Sequence, residues 1–103
     1  MSIGTSVDIV KKTRSTDRIR EPIKYKVVIC NDDVTPVDFV IALLVQVFNF
    51  GTDEAIELTM EVHESGRGVA GVFTFEVAEQ KAIDGTNMAR SNNFPLVIKL
   101  EPE

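Results

Sequence analysis

The hydrophobic period changes several times along this chain, and each change marks an element. Tyr25-Lys26-Val27-Val28-Ile29-Cys30 is a short, β-branched run closed by Asn31-Asp32-Asp33, which predicts a strand buried on at least one face. Phe39, Val40, Leu43, Leu44, Val47 and Phe48 then recur at helical spacing. Thr35 is the expected N-cap of this first helix, Pro36 its first residue and Asp38 its capping-box acid, with Asn49 and Gly51 ending it after Phe48. Ile41 and Val45 fall outside the stripe, so the helix is apolar nearly all round and calls for a central position or a partner.

Thr52 is the expected cap of a second helix that ends at Gly66, with Asp53 and Glu54 against the positive end of its dipole. Glu54, Glu57, Glu61 and Glu64 line its outer side, while Ile56, Thr59, Met60, Val62 and His63 fall on or beside the inner one. Residues 67–74 read as a strand in which Gly71 signals a bulge or a close backbone approach. Thr74 is the expected cap of a third helix over 75–90, where Gly85 costs about 1 kcal/mol relative to Ala and weakens the last turns. Asn92-Asn93 breaks the chain, and 94–100 reads as a closing strand with Pro95 at its start. The order is βααβαβ, an α+β domain with helices packed on one small sheet.

Composition narrows the class. At 103 residues the chain is one domain with room for a modest core. Cys30 is the sole cysteine, so no internal disulfide forms, and a thiol ending an apolar run reads as a small core residue in a reducing compartment. The greasiest segment, Phe39 to Phe48, is too short to cross a bilayer, and no secretory signal precedes it; the expectation is a soluble, cytoplasmic protein with no membrane partner. Residues 1–24 hold six bases, Lys11, Lys12, Arg14, Arg18, Arg20 and Lys24, against three acids, whereas residues 25–103 hold five bases against thirteen acids. An acidic body repels phosphate backbones and the basic arm has no aromatic residue to stack a base, so nucleic acid is not the expected partner. Transit peptides share the Arg and Ser content of this arm, but its three acids oppose that reading. Its low hydrophobicity suits a flexible N-terminal extension over 1–23, ahead of a core domain at 24–103.

The candidate chemistry lies where the first strand gives way to the first helix. Asn31, Asp32 and Asp33 sit at a junction where backbone polar groups converge, beside an apolar helix; such a turn either only reverses the chain or holds something polar next to something greasy. His63, the one histidine, sits near a helix end and is either a partner for that helix's dipole or a site residue. With Asp32 and Asp33 it lacks a second soft ligand, so no metal or other cofactor is expected. Paired with Cys30 it lacks an orienting group and an oxyanion donor, so the chain is not expected to be an enzyme.

Several stretches in order resemble the ClpS family, adaptors that bring substrates to the AAA+ protease ClpAP. They are Lys24 through Val40, Val62-His63-Glu64-Ser65-Gly66-Arg67-Gly68, Gly71 through Lys81, and Pro95-Leu96, and the resemblance as a whole covers about residues 24–102. The resemblance implies a three-stranded antiparallel sheet with three helices on one face, similar to the C-terminal domain of the ribosomal stalk protein. It implies recognition of N-degrons, proteins whose first residue is bulky and apolar and carries a free amine, and delivery to the unfoldase ClpA. Asn31, Asp32 and His63 would then receive the α-ammonium, a compact cation that needs acceptors in several directions. Asp33 and Thr35 would complete the polar wall and fix the turn. Ile29, Val37, Val40, Thr59, Val62 and Leu96 occupy the positions of the apolar pocket, and Glu76 and Lys81 those that dock on ClpA. Val37 and Thr59 stand where the family pattern has methionine, or often does, which implies a wider pocket. A ribosomal-stalk-like interaction domain shares the fold but needs no such pocket.

Overall fold

A computed structural model describes residues 23–103 of the chain; apart from Ile23, the N-terminal extension read from the sequence lies outside them. The elements are β1 (Lys24–Cys30), α1 (Val37–Phe48), α2 (Thr52–Ser65), β2 (Arg67–Thr74), α3 (Phe75–Ser91) and β3 (Val97–Pro102). The strands form one antiparallel sheet in the order β2-β1-β3. The most apolar strand takes the centre because only there are both of its edges paired, and Val27, Val28 and Ile29 are all 0% exposed.

Alternation along the ladder sends Tyr25, Val27 and Ile29 to one face, level with Phe73 on β2 and with Ile98 and Leu100 on β3. These side chains join one core with Leu43 and Leu44 of α1, Ala55 and Val62 of α2, and Ala78 and Ala89 of α3. All three helices therefore cover the same face. α1 packs against both α2 and α3, and Ile41 and Val45 are half-buried, so its apolar girth reflects a central position. On the open face lie Lys26, Val28 and the half-buried Cys30. Val28 is covered although no helix lies on that side. Arg67, level with Cys30, reaches diagonally to Glu101, level with Lys26, at 2.6 Å, and a link between those two corners crosses Val28.

Several expected boundaries shift. The N-cap of α1 is Pro36, not Thr35, and it caps with no side chain; α2 starts from Gly51, whose N–H donates to Glu54 Oε1 at 3.1 Å, rather than from Thr52. Ile56 and Met60 point outward, 43% and 38% exposed, and the inner row of α2 is Ala55, Leu58, Thr59 and Val62. The ladder irregularity falls between Val27 and Val28, where Ala70 is the extra residue on β2. Gly71 is needed for space, because the Phe73 ring comes within 2.5 Å of where its Cβ would be. Gly85 does not fray α3, which runs unbroken to Ser91; it sits where a Cβ would be 2.6 Å from Ile98 Cδ1, so helix–sheet contact offsets its poor propensity. β3 begins at Val97, after a left-handed Asn93 (φ 63°), and Pro95 lies before the strand rather than in it.

Candidate functional site

The turn between β1 and α1 is built by one carboxylate. Asp32 Oδ1 accepts the N–H groups of Val34 (2.8 Å) and Thr35 (2.7 Å), and its Oδ2 accepts the Thr35 hydroxyl (2.8 Å). This is the local bonding that Asp supplies when it competes with regular structure. It accounts for the missing cap, since the Thr35 hydroxyl is turned back to Asp32 and not toward the helix. It also reassigns a role: Asp32, rather than Asp33, fixes the turn with Thr35, and Asp33 stays exposed. Burial alone would raise the Asp32 carboxyl. The bonds from Thr35 and Val34 and the positive charge of Arg90 outweigh it and hold the group below the ordinary carboxylate value.

Beside this turn opens a cavity of about 320 Å³. Asn31 through Pro36 form one wall, Val37 and Val40 of α1 a second, and Thr59, Val62 and His63 of α2 a third. The α2 wall follows from helix geometry, because positions 59, 62 and 63 share a face. Gly66 (φ 92°) ends that helix in a left-handed turn, and its carbonyl accepts the Asn31 N–H at 2.9 Å, tying the turn to the end of α2. α2 can lie this close to β2 because Gly68 has no side chain; a Cβ there would come within 2.8 Å of Leu58 and Val62.

The structure thus brings together Asn31, Asp32, Asp33, Thr35, Val37, Val40, Thr59, Val62 and His63. Two residues expected in the apolar pocket do not line it: Ile29 and Leu96 are core residues, 0% and 1% exposed. β-branched and γ-branched residues at strand ends read the same from sequence whether they face a pocket or the core. Thr59 is 3% exposed and its hydroxyl donates to the Ala55 carbonyl at 2.7 Å, which leaves the apolar part of its side chain to the wall. His63 lines the cavity, whereas Cys30 does not and lies on the open face of the sheet. Among the described residues no group of three His, Cys, Asp or Glu side chains is arranged to hold a metal ion, and no helix is long and apolar enough to cross a membrane.

Glu76 and Lys81 lie on α3, away from the cavity. Glu76 is exposed in its first turn. Lys81 is held within the molecule: its Nζ donates to the Val47 carbonyl near the C-terminus of α1 (3.0 Å) and sits 5.8 Å and 5.5 Å from the Phe48 and Phe73 ring centres. Val34 and Pro36 also line the cavity, although the sequence marked Pro36 only as a helix start and gave Val34 no role, since their types are ordinary in turns.

Comparison with known proteins agrees along most of the chain. The family described as "ATP-dependent Clp protease adaptor protein ClpS" matches residues 20–99. The ClpS adapter of Zymomonas mobilis is 40% identical over 94 residues, covering 91% of this chain and 88% of that protein. The ClpS adapter of Sodalis glossinidius is 44% identical over 85 residues, covering 82% and 80%. Among solved structures, Agrobacterium tumefaciens ClpS2 bound to L-phenylalaninamide superposes with a TM-score of 0.79 at 37% identity, covering 81% of this chain and all of that one. Similarity of this extent in sequence and in fold, spanning the sheet, the three helices and the cavity between them, makes the chain a member of the ClpS family of adaptors for the ATP-dependent Clp protease.

Proposed function

We propose that the cavity receives the first residue of an N-degron protein, its free α-ammonium at Asn31, Asp32 and His63 and its bulky apolar side chain against Val37, Val40, Thr59 and Val62. The observation that carries this reading is the junction of a polar turn and an apolar two-helix wall in one cavity of about 320 Å³. That is the small end of ligand pockets, suited to one residue rather than a long peptide. The ligand of the solved relative, L-phenylalaninamide, has the matching chemistry of a primary amine beside an aromatic side chain. Three acceptor-bearing side chains in different directions suit an ammonium with three donors. The chain acts in the cytoplasm without chemistry of its own and hands its cargo to a ClpA-type AAA+ unfoldase. Of the two docking residues on α3, Glu76 offers an exposed contact, whereas Lys81 contributes by holding α3 to α1. A stalk-like domain without an amine pocket is not favoured, because the match is to ClpS adaptors.

The test is a titration with labelled peptides beginning with Phe, Leu, Tyr or Trp, each with a free or an acetylated terminus. Acetylation removes the charge and leaves acceptors unpaired, so binding should fall by tenfold or more, on the order of 1.4 kcal/mol or above. Equal affinity for the two forms would refute the reading.

A further inference from the structure

Arg90 lies outside the cavity, in the last turn of α3. Its Nη1 donates to the carbonyls of Phe94 (2.9 Å) and Leu96 (2.8 Å), in the irregular lead-in to β3. The ladder pairs Cys30 with Val97, so the next residues outward, Asn31 and Leu96, leave the end of the sheet side by side. Leu96 is 1% exposed, and the Phe94 ring meets Phe39 edge to face with centroids 4.9 Å apart. Phe39 belongs to the first turn of α1, which also supplies Val37 and Val40 to the cavity wall. On the β2 side the pocket turn is tied by a backbone bond, Asn31 N–H to Gly66 O. On the β3 side the neighbouring segment is held by the guanidinium.

We infer that Arg90 is the positioning residue of the pocket turn, clamping segment 94–96 across the sheet end from Asn31 and setting a fixed positive charge beside Asp32. A guanidinium suits both tasks, because one terminal nitrogen carries two N–H groups that reach both carbonyls and the cation keeps its proton across the usable pH range. The other titratable groups that line the cavity with Asp32 are Asp33 on the same turn and His63 from α2. The Arg90 charge also acts with the Thr35 and Val34 bonds in keeping the Asp32 carboxyl low, against the effect of burial.

The consequence for ligand binding rests on the function proposed above, whereas the titration of Asp32 does not. Wild type, Arg90→Gln and Arg90→Lys are compared as free full-length chains by carboxyl-carbon NMR at low salt. In Arg90→Gln the Asp32 midpoint should rise, because a positive charge that favours the ionised carboxyl is removed. In Arg90→Lys, which keeps the charge and can still donate to the carbonyls, it should stay near wild type. The acid limb of binding to a labelled peptide beginning with Phe should move upward by the same amount in Arg90→Gln alone. A purely structural role would lower the melting temperature and leave the Asp32 midpoint in place. An unmoved midpoint in Arg90→Gln, or an equal rise in both variants, overturns the inference. If Asp32 shifts as expected but the wild type binds no peptide, Arg90 keeps its role and the proposed function falls.

Discussion

Replacing Asp32 by alanine tests the turn on which the cavity depends. The carboxylate accepts two N–H groups and a hydroxyl, all at 2.7–2.8 Å. The bond from Val34 is exposed and water replaces it at little cost, whereas those from Thr35 are half-buried. Hydrogen bonds to a charged group contribute about 1.5–3 kcal/mol each when sheltered, and loss of a comparable helix-cap residue costs about 0.5–2 kcal/mol. We expect a net loss of about 2 kcal/mol for Asp32→Ala, and about half of that for Asp32→Asn, which keeps one acceptor oxygen. With a urea dependence of about 1 kcal/mol per molar for a domain of this size, the alanine variant should unfold about 2 M earlier at pH 7. The pH dependence has a definite sign. A carboxyl held low in the folded state stabilises above its unfolded value of about 3.9, and that stability disappears as pH falls through the lower folded value. The gap between wild type and Asp32→Ala should therefore be flat from pH 7 to about 5 and narrow below about 4. A urea midpoint unchanged at pH 7, or a gap that persists undiminished into acid, would refute this account of the turn.

Three further outcomes are expected. Val37→Met with Thr59→Met fills the cavity with flexible side chains, so the preference for Leu over Ile at a peptide's first residue should grow by up to about tenfold; an unchanged ratio in competition titrations removes the wide-pocket idea. Lys81→Ala loses a carbonyl bond and two ring contacts and should cost about 1–2 kcal/mol by urea unfolding, so weakened unfoldase binding by this variant needs a stability control; an unaltered midpoint would return Lys81 to a pure docking role. Deleting residues 1–20 should spare peptide and ClpA binding and impair degradation of an N-degron substrate, and normal degradation by the truncated chain would show that the extension is dispensable.

The sequence carried the element order because its signals are local: a short β-branched run in Tyr25–Cys30, period 3.6 from Phe39, with Gly66 and Asn92-Asn93 as breaks. It also carried the cavity's polar turn and the α2 wall, since Thr59, Val62 and His63 share a face on any helix. Its errors fell where residue type did not reveal the neighbour that decides a residue's role. Thr35 has the type of an N-cap, yet its hydroxyl goes to Asp32 because the turn folds that carboxylate within reach. Gly85 reads as a helix weakness until Ile98 is seen to need the space.

Other features depended on the fold alone. Whether Ile29 and Leu96 face a pocket or the core is decided by the stacking of three helices on one side of the sheet. That Lys81 is tied to Val47, across 34 positions of sequence, is a consequence of α3 meeting the end of α1. Arg90 holds the segment beside the pocket turn only because the antiparallel register brings Leu96, whose carbonyl it bonds, next to Asn31. Local propensity decides which residues turn, coil or extend, because the interactions involved span a few positions; which side chains meet across the core is decided by the packing of distant segments, and no window along the chain contains both partners.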